Sequence, residues 1–299
     1  MTAYHCPNCS QLSRLLFRAK DYNRQLSDEV FDYYRCDSCG LIFLSPIPAD
    51  LGSYYPTNYY DVPQSEAELA ATAEKLQQWK LDLVTRFARK GRLLEIGPAY
   101  GLFAYLAKRT GFDVTAIEMD SRCCSFLRET VGVNVVESSD MVARMKELPL
   151  FDVIVLWQVI EHLADPWPVL TAAAERLAPN GILVLDTPNP QAFQFWVLGH
   201  RWTHVDAPRH VTLIPALLLV DHMTKSGLRP VLLTAANTGA NGFNGFGWSF
   251  SLKNFFTNAT AGAVVHFMGR VLAKLLIPIE RTGWRGSTYT AVFRKEVAQ

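Results

Sequence analysis

Two Cys-x2-Cys pairs open the chain, Cys6/Cys9 and Cys36/Cys39. Each pair can fold into a tight knuckle that offers two soft thiolates to one ion. Four thiolates complete a tetrahedral shell around Zn²⁺ and leave no position for water or substrate, so the expected metal is structural rather than catalytic. The 26 residues between Cys9 and Cys36 exceed the usual zinc-ribbon spacing and leave room for a hairpin or short helix. The other two cysteines, Cys123 and Cys124, are adjacent and read as small packing residues. The N-terminus shows no basic stretch followed by an apolar run. A reducing, cytoplasmic setting is therefore expected, in which short-spaced cysteines hold metal rather than form disulfides.

A second concentration of chemistry is Glu95-Ile96-Gly97-Pro98-Ala99-Tyr100-Gly101, set between the apolar RLLEI and the helix-like LFAYLAKR. A strand, a glycine loop and a helix N-terminus in that order make a nucleotide site. The glycines let a ligand approach the backbone, and the free N–H groups of the helix start favour a carboxylate. Glu118 ends the next strand, 21 residues after Gly97, where a carboxylate can accept both hydroxyls of a ribose. On these residues alone a nicotinamide or flavin enzyme remains open.

These groups need a scaffold. From Arg92 onward short apolar runs alternate with helix-length amphipathic stretches, the pattern of a parallel sheet covered on both faces. RLLEI, DVTAIE, VNVV, FDVIVLW, GILVLD and RPVLLTAA read as six strands, and 288–294 as a last one. Helices are expected over 101–109, 121–131, 166–177 and 215–226, with a leading helix over roughly 65–90. The division is then a zinc-binding head over 1–45, a linker and helix over 46–90, and a doubly wound α/β domain over 91–299 with an insertion at about 237–286. Within that insertion, NTGANGFNGFGW reads as a glycine-rich mobile lid.

Composition narrows the partners. A chain of 299 residues with 49% hydrophobic content buries a full core, and 29 basic against 28 acidic residues give no broad positive field for nucleic acid. The apolar stretch 261–280 is broken by His266, Arg270, Lys274 and Pro278, so it does not read as a membrane span. Its basic groups recur every fourth residue on one helical face. Two readings fit: a packed helix with a basic edge in water, or peripheral contact with an anionic membrane through 261–280.

The segments LLEIGPAYG, AIEMD, FDVIVLWQVIEHLADPWPVL, LAPNGILVLDTPN and DAPRHVTLIP follow one another over roughly 92–236. In that order they resemble class I S-adenosylmethionine-dependent methyltransferases, in the subgroup holding ubiquinone-type O-methyltransferases and deoxysugar methyltransferases. The cysteine module ending CGLIFLSPIP resembles the zinc-binding head of sugar C-methyltransferases and related polysaccharide-biosynthesis enzymes. The resemblance implies a Rossmann-like sheet of seven strands, the last antiparallel, carrying a small zinc-ribbon-like module. It implies S-adenosylmethionine as methyl donor, with Glu95, Gly97, Ala99 and Gly101 around its methionine part. Glu118 would hold its ribose, Ser138, Ser139 and Asp140 lie beside its adenine, and Trp157 and Gln158 beside the sulfonium. The tyrosines of YYPTNYY, Tyr54, Tyr55, Tyr59 and Tyr60, resemble an approach segment that closes over the cofactor.

Methyl transfer from a sulfonium is an in-line displacement that asks the protein for alignment and, for a hydroxyl acceptor, removal of a proton. His210, in DAPRH, resembles the base of sugar C-methyltransferases and is the first candidate; His204 is second and His162 third. Arg209 could bind an anionic substrate group or form a salt bridge. The acceptor class implied is a small or carrier-linked molecule, with O-methylation of a sugar or polysaccharide precursor ahead of C- or N-methylation, because the chain runs only a few residues past the expected last strand. No Asn/Asp-Pro-Pro-aromatic motif follows FDVIVLW, which argues against DNA. An RNA methyltransferase is the alternative, but the head mixes Arg14, Arg18, Lys20, Arg24 and Arg35 with Asp21, Asp28, Glu29, Asp32 and Asp37. A non-enzymatic zinc-ribbon protein is opposed by the retained Gly97, Gly101 and Glu118.

Overall fold

The structure, a computed structural model, describes residues 4–56, 59–63, 65–255 and 259–296. In chain order the head holds β1 (Tyr4–His5), β2 (Leu12–Ala19), β3 (Phe31–Cys36) and β4 (Ile42–Leu44), followed by α1 (Glu66–Thr85). Then come β5 (Gly91–Ile96), α2 (Leu102–Arg109), β6 (Phe112–Glu118), α3 (Ser121–Phe126), β7 (Asn134–Glu137), α4 (Met141–Glu147) and β8 (Phe151–Trp157). The remainder is α5 (Trp167–Arg176), β9 (Leu177–Pro188), α6 (Phe193–Leu198), β10 (Thr212–Leu213), α7 (Ala216–Lys225), β11 (Leu228–Thr234), α8 (Thr238–Lys253), α9 (Ala259–Glu280) and β12 (Thr288–Lys295). Among the described residues no helix is long and apolar enough to cross a membrane.

The large sheet runs β11-β12-β9-β8-β5-β6-β7, with β12 antiparallel to both neighbours and the other pairings parallel. Its central strands are mostly apolar: Leu93, Leu94, Ile96, Val153, Ile154, Val155 and Leu156 have no exposure, as burial under helices on both faces requires. Chain order reverses between β5 and β8, so the loops after these two strands diverge and leave a crevice at their carboxyl ends. That crevice is where the glycine loop 97–101 lies.

The head is not a free-standing bead. β2 and β3 form the hairpin that fills the long gap between the knuckles, and β4 pairs with β10, Phe43 opposite Thr212 and Ile42 opposite Leu213. Strand alternation then divides the head between two cores. Phe31, Tyr33, Ile42 and Leu44 pack with Trp202, Val205 and Val211, while Tyr34, Cys36 and Phe43 join the core beneath the large sheet with Ile160 and Ile214. The sheet of the head thus continues past the expected boundary at residue 45 into residues 212–213.

One expectation is corrected. The glycine-rich segment NTGANGFNGFGW is helical, not a mobile lid: it forms most of α8. Asn237 caps it by accepting from Ala240 N at 2.8 Å. Each glycine costs a helix about 1 kcal/mol. Close packing offsets that cost here, because a Cβ on Gly239 would lie 2.4 Å from Trp79 and one on Gly247 would lie 2.0 Å from Gln194 Oε1.

Candidate active site

Three backbone positions of the loop after β5, Gly97, Ala99 and Gly101, have φ of 67°, 53° and 80°. This left-handed course folds the loop back so that Gly97 borders a cleft and Gly101 starts α2. The cleft holds about 500 Å³, within the range of small-molecule sites. Glu118 and Met119 border it on the β6 side, and Gln158, Val159 and His162 on the β8 side. Tyr55, Tyr59 and Tyr60 close it from the linker, whereas Tyr54 is buried against Phe31 and donates to Glu29.

Glu118 is fixed by three backbone donors. Its Oε1 accepts from Met119 N at 2.7 Å and Asp120 N at 2.9 Å, and its Oε2 from Ala99 N at 2.9 Å. Burial raises its pKa and these N–H groups oppose that. A carboxylate offers about four lone-pair positions and three are filled, so one remains on Oε2 for a hydroxyl. A Cβ on Gly97 would sit 2.9 Å from Val159 and fill the floor of the cleft. Loop, carboxylate and apolar flank together fit a nucleoside carrying a charged amino-acid tail.

Gln158 reaches the cleft because β8 ends one residue before it and its φ is 57°. Its Nε2 donates to Asp186 Oδ1 at 2.5 Å, and Asp186 also accepts from Thr290 Oγ1. Burial pushes Asp186 up to about 6. This acid on β9 was not singled out in the sequence. An acid ending an apolar strand, as Glu118 does in AIE, was the available signal in GILVLD.

Several candidate residues stand outside the cleft. Trp157 is corrected: as the last residue of β8 it alternates to the opposite face from the cleft, between Trp79 and Phe103, with 7% exposure. Glu95 lies buried beneath the loop, facing Lys80; burial raises its pKa, with Lys80 and the Ala104 N–H opposing. Ser139 is exposed, and Ser138 and Asp140 spend their side chains on the turn that starts α4. Met141, which follows them, borders the cleft instead.

The histidines are reordered. His204 is buried among Trp202, Phe243 and Phe246 and gives its Nε2 to the Phe243 carbonyl at 3.3 Å. Burial pushes it down to about 4. His210 is buried too, its Nδ1 on the His204 carbonyl at 2.8 Å, and burial with His162 nearby pushes it down to about 3. Its ring stands edge-on to His162 at 4.6 Å between centroids, so it lies behind His162 rather than at the cleft. Neither His210 nor His204, the expected bases, borders the cleft. His162 does border the cleft, and its Nδ1 lies 3.2 Å from the Arg209 carbonyl and 2.9 Å from Tyr55 Oη. With the proton on Nδ1 the ring donates to the Arg209 carbonyl and leaves Nε2 a lone pair, whereas with the proton on Nε2 the ring accepts from Tyr55 Oη.

Beside it Glu161 is fully buried, with Oε2 accepting from Thr187 Oγ1 at 2.9 Å and Oε1 without a partner. Burial pushes Glu161 up to about 8. Donor atoms of Glu161, His162 and His210 lie within 4.8 Å of one another, a cluster that could also hold a cation.

Arg209 is not a substrate anchor. It has no exposure and pairs with Asp21 at 2.6 Å and Asp206 at 2.7 Å, tying the head to the segment that carries His210. The four head cysteines converge: their Sγ atoms lie within 4.8 Å of one another, with Cys6 to Cys39 at 3.6 Å and Cys9 to Cys36 at 3.4 Å. Zn–S bonds of about 2.3 Å in a tetrahedron set sulfurs somewhat under 4 Å apart, so the four fit one ion.

Comparison with known proteins agrees with the geometry. A family profile described as a methyltransferase domain matches residues 69–233. A ubiquinone biosynthesis O-methyltransferase of Cereibacter sphaeroides is 31% identical over 176 residues, covering 54% of this chain and 68% of the relative. The Roseobacter denitrificans protein of the same description is 28% identical over 193 residues, covering 61% and 76%. Among solved structures, an S-adenosylmethionine-dependent methyltransferase from Archaeoglobus fulgidus is 19% identical with a TM-score of 0.48, covering 75% of this chain and 98% of that one. With a matched profile over more than half its length and a nucleoside cleft at the switch point of its sheet, the chain belongs to this methyltransferase-domain family and is an S-adenosylmethionine-dependent methyltransferase.

Proposed function

We propose that the chain methylates a hydroxyl of a small or carrier-linked acceptor, with a sugar or polysaccharide precursor as the acceptor class and His162 as the base. The observation that carries the chemistry is His162 on the cleft wall, its Nδ1 held between Tyr55 Oη and the Arg209 carbonyl. When bound, S-adenosylmethionine supplies an electrophilic methyl group. Glu118 would hold the ribose, Gly97 and the loop to Gly101 would receive the amino-acid tail, and Met119 and Met141 would flank the adenine. Gln158, held by Asp186, orients groups at the β8 edge. His162 Nε2 would take the proton of the acceptor hydroxyl, and Tyr55 would steady the ring. The tyrosine segment excludes water. The sugar assignment rests on the resemblance of the cysteine head; a phenolic acceptor is the second reading, favoured by the description of the relatives.

Calorimetric titration with S-adenosylmethionine tests the cofactor role of Glu118. Glu118→Ala is expected to weaken binding on the order of 100-fold, since hydrogen bonds to a charged group contribute about 1.5–3 kcal/mol each. Equal affinity would remove Glu118 from the site. Nucleotide sugars and catechol-type phenols, offered in parallel as acceptors, separate the two acceptor readings.

The base has its own signature. His162→Gln is expected to lower kcat by about 100-fold or more while leaving cofactor affinity unchanged. Burial lowers the pKa of His162, ahead of any opposing effect of Asp206. A lowered pKa keeps the ring neutral, so the acid limb of the wild-type kcat profile should fall below the ordinary histidine value of about 6.5 and vanish in the variant. An acid limb that persists unchanged in His162→Gln would assign it to another group.

A further inference from the structure

Helices α8 and α9 touch closely at one line, where a Cβ on Gly269 would lie 2.7 Å from Ser249 Cα. Beside that line they part into a groove of about 380 Å³, away from the cofactor cleft and bordered by none of its residues. His266, Arg270 and Lys274 line it from α9. Spaced four residues apart, they stack along one face with Cβ atoms about 5–6 Å apart. Among the described residues no carboxylate pairs with Arg270 or Lys274. The one acid of α9, Glu280, is turned into the core, where Gln194 and Trp248 donate to it.

The α8 wall carries polar side chains. Asn244 and Ser249 line the groove and are each 2% exposed. Asn244 Oδ1 accepts from Ser287 N at 2.7 Å, but its Nδ2 has no partner, and neither does Ser249 Oγ. Both atoms are buried without an acceptor, at a cost of about 1–3 kcal/mol each. Gly242 and Gly245 keep the floor open, with nothing within 4 Å of where a Cβ would project.

We propose that this groove is a binding site for a phosphoryl group, as a phosphate ester or diphosphate. Arg270 and Lys274 give the concavity positive charge that no described carboxylate neutralises, and a phosphate presents acceptor oxygens to both at once. The site stands independently of the acceptor reading above. Two sources share this chemistry. A soluble phosphate ester would fill the groove alone. A phosphorylated lipid would also use the stripe beside the cations, where Val264, Phe267, Met268, Val271 and Leu275 are exposed, Phe267 at 65% and Leu275 at 71%.

The test uses the full chain with two probes, inorganic pyrophosphate by calorimetry and phosphatidylglycerol/phosphatidylcholine vesicles by co-sedimentation. The variants are Arg270→Ala/Lys274→Ala and, as a control, Arg229→Ala on β11; all three side chains are exposed, so melting should match the wild type. Pyrophosphate binding weakened at least about tenfold in the double variant and unchanged in the control supports the site with a soluble source. Vesicle binding without pyrophosphate binding, lost both in the double variant and in Phe267→Ser/Leu275→Ser, supports it with a lipid source. Binding of neither probe, or binding that ignores the double variant, overturns it.

Discussion

Arg209→Ala is expected to cost about 3–5 kcal/mol of stability, seen as a lowered urea midpoint with an unchanged slope. The guanidinium has no exposure and is held by Asp21 and Asp206, so its removal leaves Asp21, itself with no side-chain exposure, as a buried carboxylate without its cation. Against a total of about 5–15 kcal/mol for a typical chain, that loss is large. Arg209→Lys, which keeps the charge but loses the fork that reaches both acids, should fall between the two. A cost under about 1 kcal/mol for the alanine variant would show that the acids find water or other donors. The pair also sets a pH dependence. Burial alone would raise Asp206, but the Arg209 hydrogen bond and the charges of His210 and Arg209 hold it well below the usual carboxylate range. A folded pKa below the unfolded one gives stability that is present above about pH 4 and is lost as pH falls through the folded value. Acid unfolding in the wild type should therefore be steeper than in an Asp206→Asn variant.

Metal withdrawal is expected to have the largest effect. We propose one zinc per chain at Cys6, Cys9, Cys36 and Cys39, and structural zinc in small modules binds with about 10–16 kcal/mol of apparent free energy. Cys36→Ser, or treatment with a strong chelator, should melt the head and lower the midpoint of thermal unfolding by well over 10 °C, since 1 kcal/mol shifts a domain of this size by at least about 2 °C. Because β4 pairs with β10, two residues after His210, turnover should fall as well, although no cysteine touches the cofactor cleft. Elemental analysis with parallel melts checks both. Protein that purifies without zinc, and whose melt is unmoved by Cys36→Ser, would make the cysteines a packing cluster. An intermediate result is informative too, since loss of the head with retained cofactor binding would show that the large sheet stands without it.

Much of this was legible in the order of residues. Strand and helix periodicities over 91–295 reflect burial of each element against neighbours near in sequence, and the glycine loop with Glu118 is one βαβ unit. Local patterns of that kind carry their own geometry. The cysteine spacing is of the same kind, because a knuckle is made by four consecutive residues.

What the order of residues could not decide was which side chains face one another across the fold. His162, His204 and His210 look equivalent as polar residues near strand ends, and only the packing of 203–211 against the head sets His162 in front and the others behind. Trp157 follows from a one-residue difference in strand alternation at the mouth of β8. Arg209 meets Asp21 across 188 positions of sequence. The glycines of α8 read as freedom when taken alone and become close contacts once Trp79, Gln194 and α9 press against them. The sequence by itself determined the sheet, the cofactor loop and the metal knuckles, because those depend on short-range spacing. The tertiary structure alone decided which histidine borders the cleft, the buried ion pair and the α8–α9 groove, because those depend on long-range contacts that cost the chain little local preference and so leave little local trace.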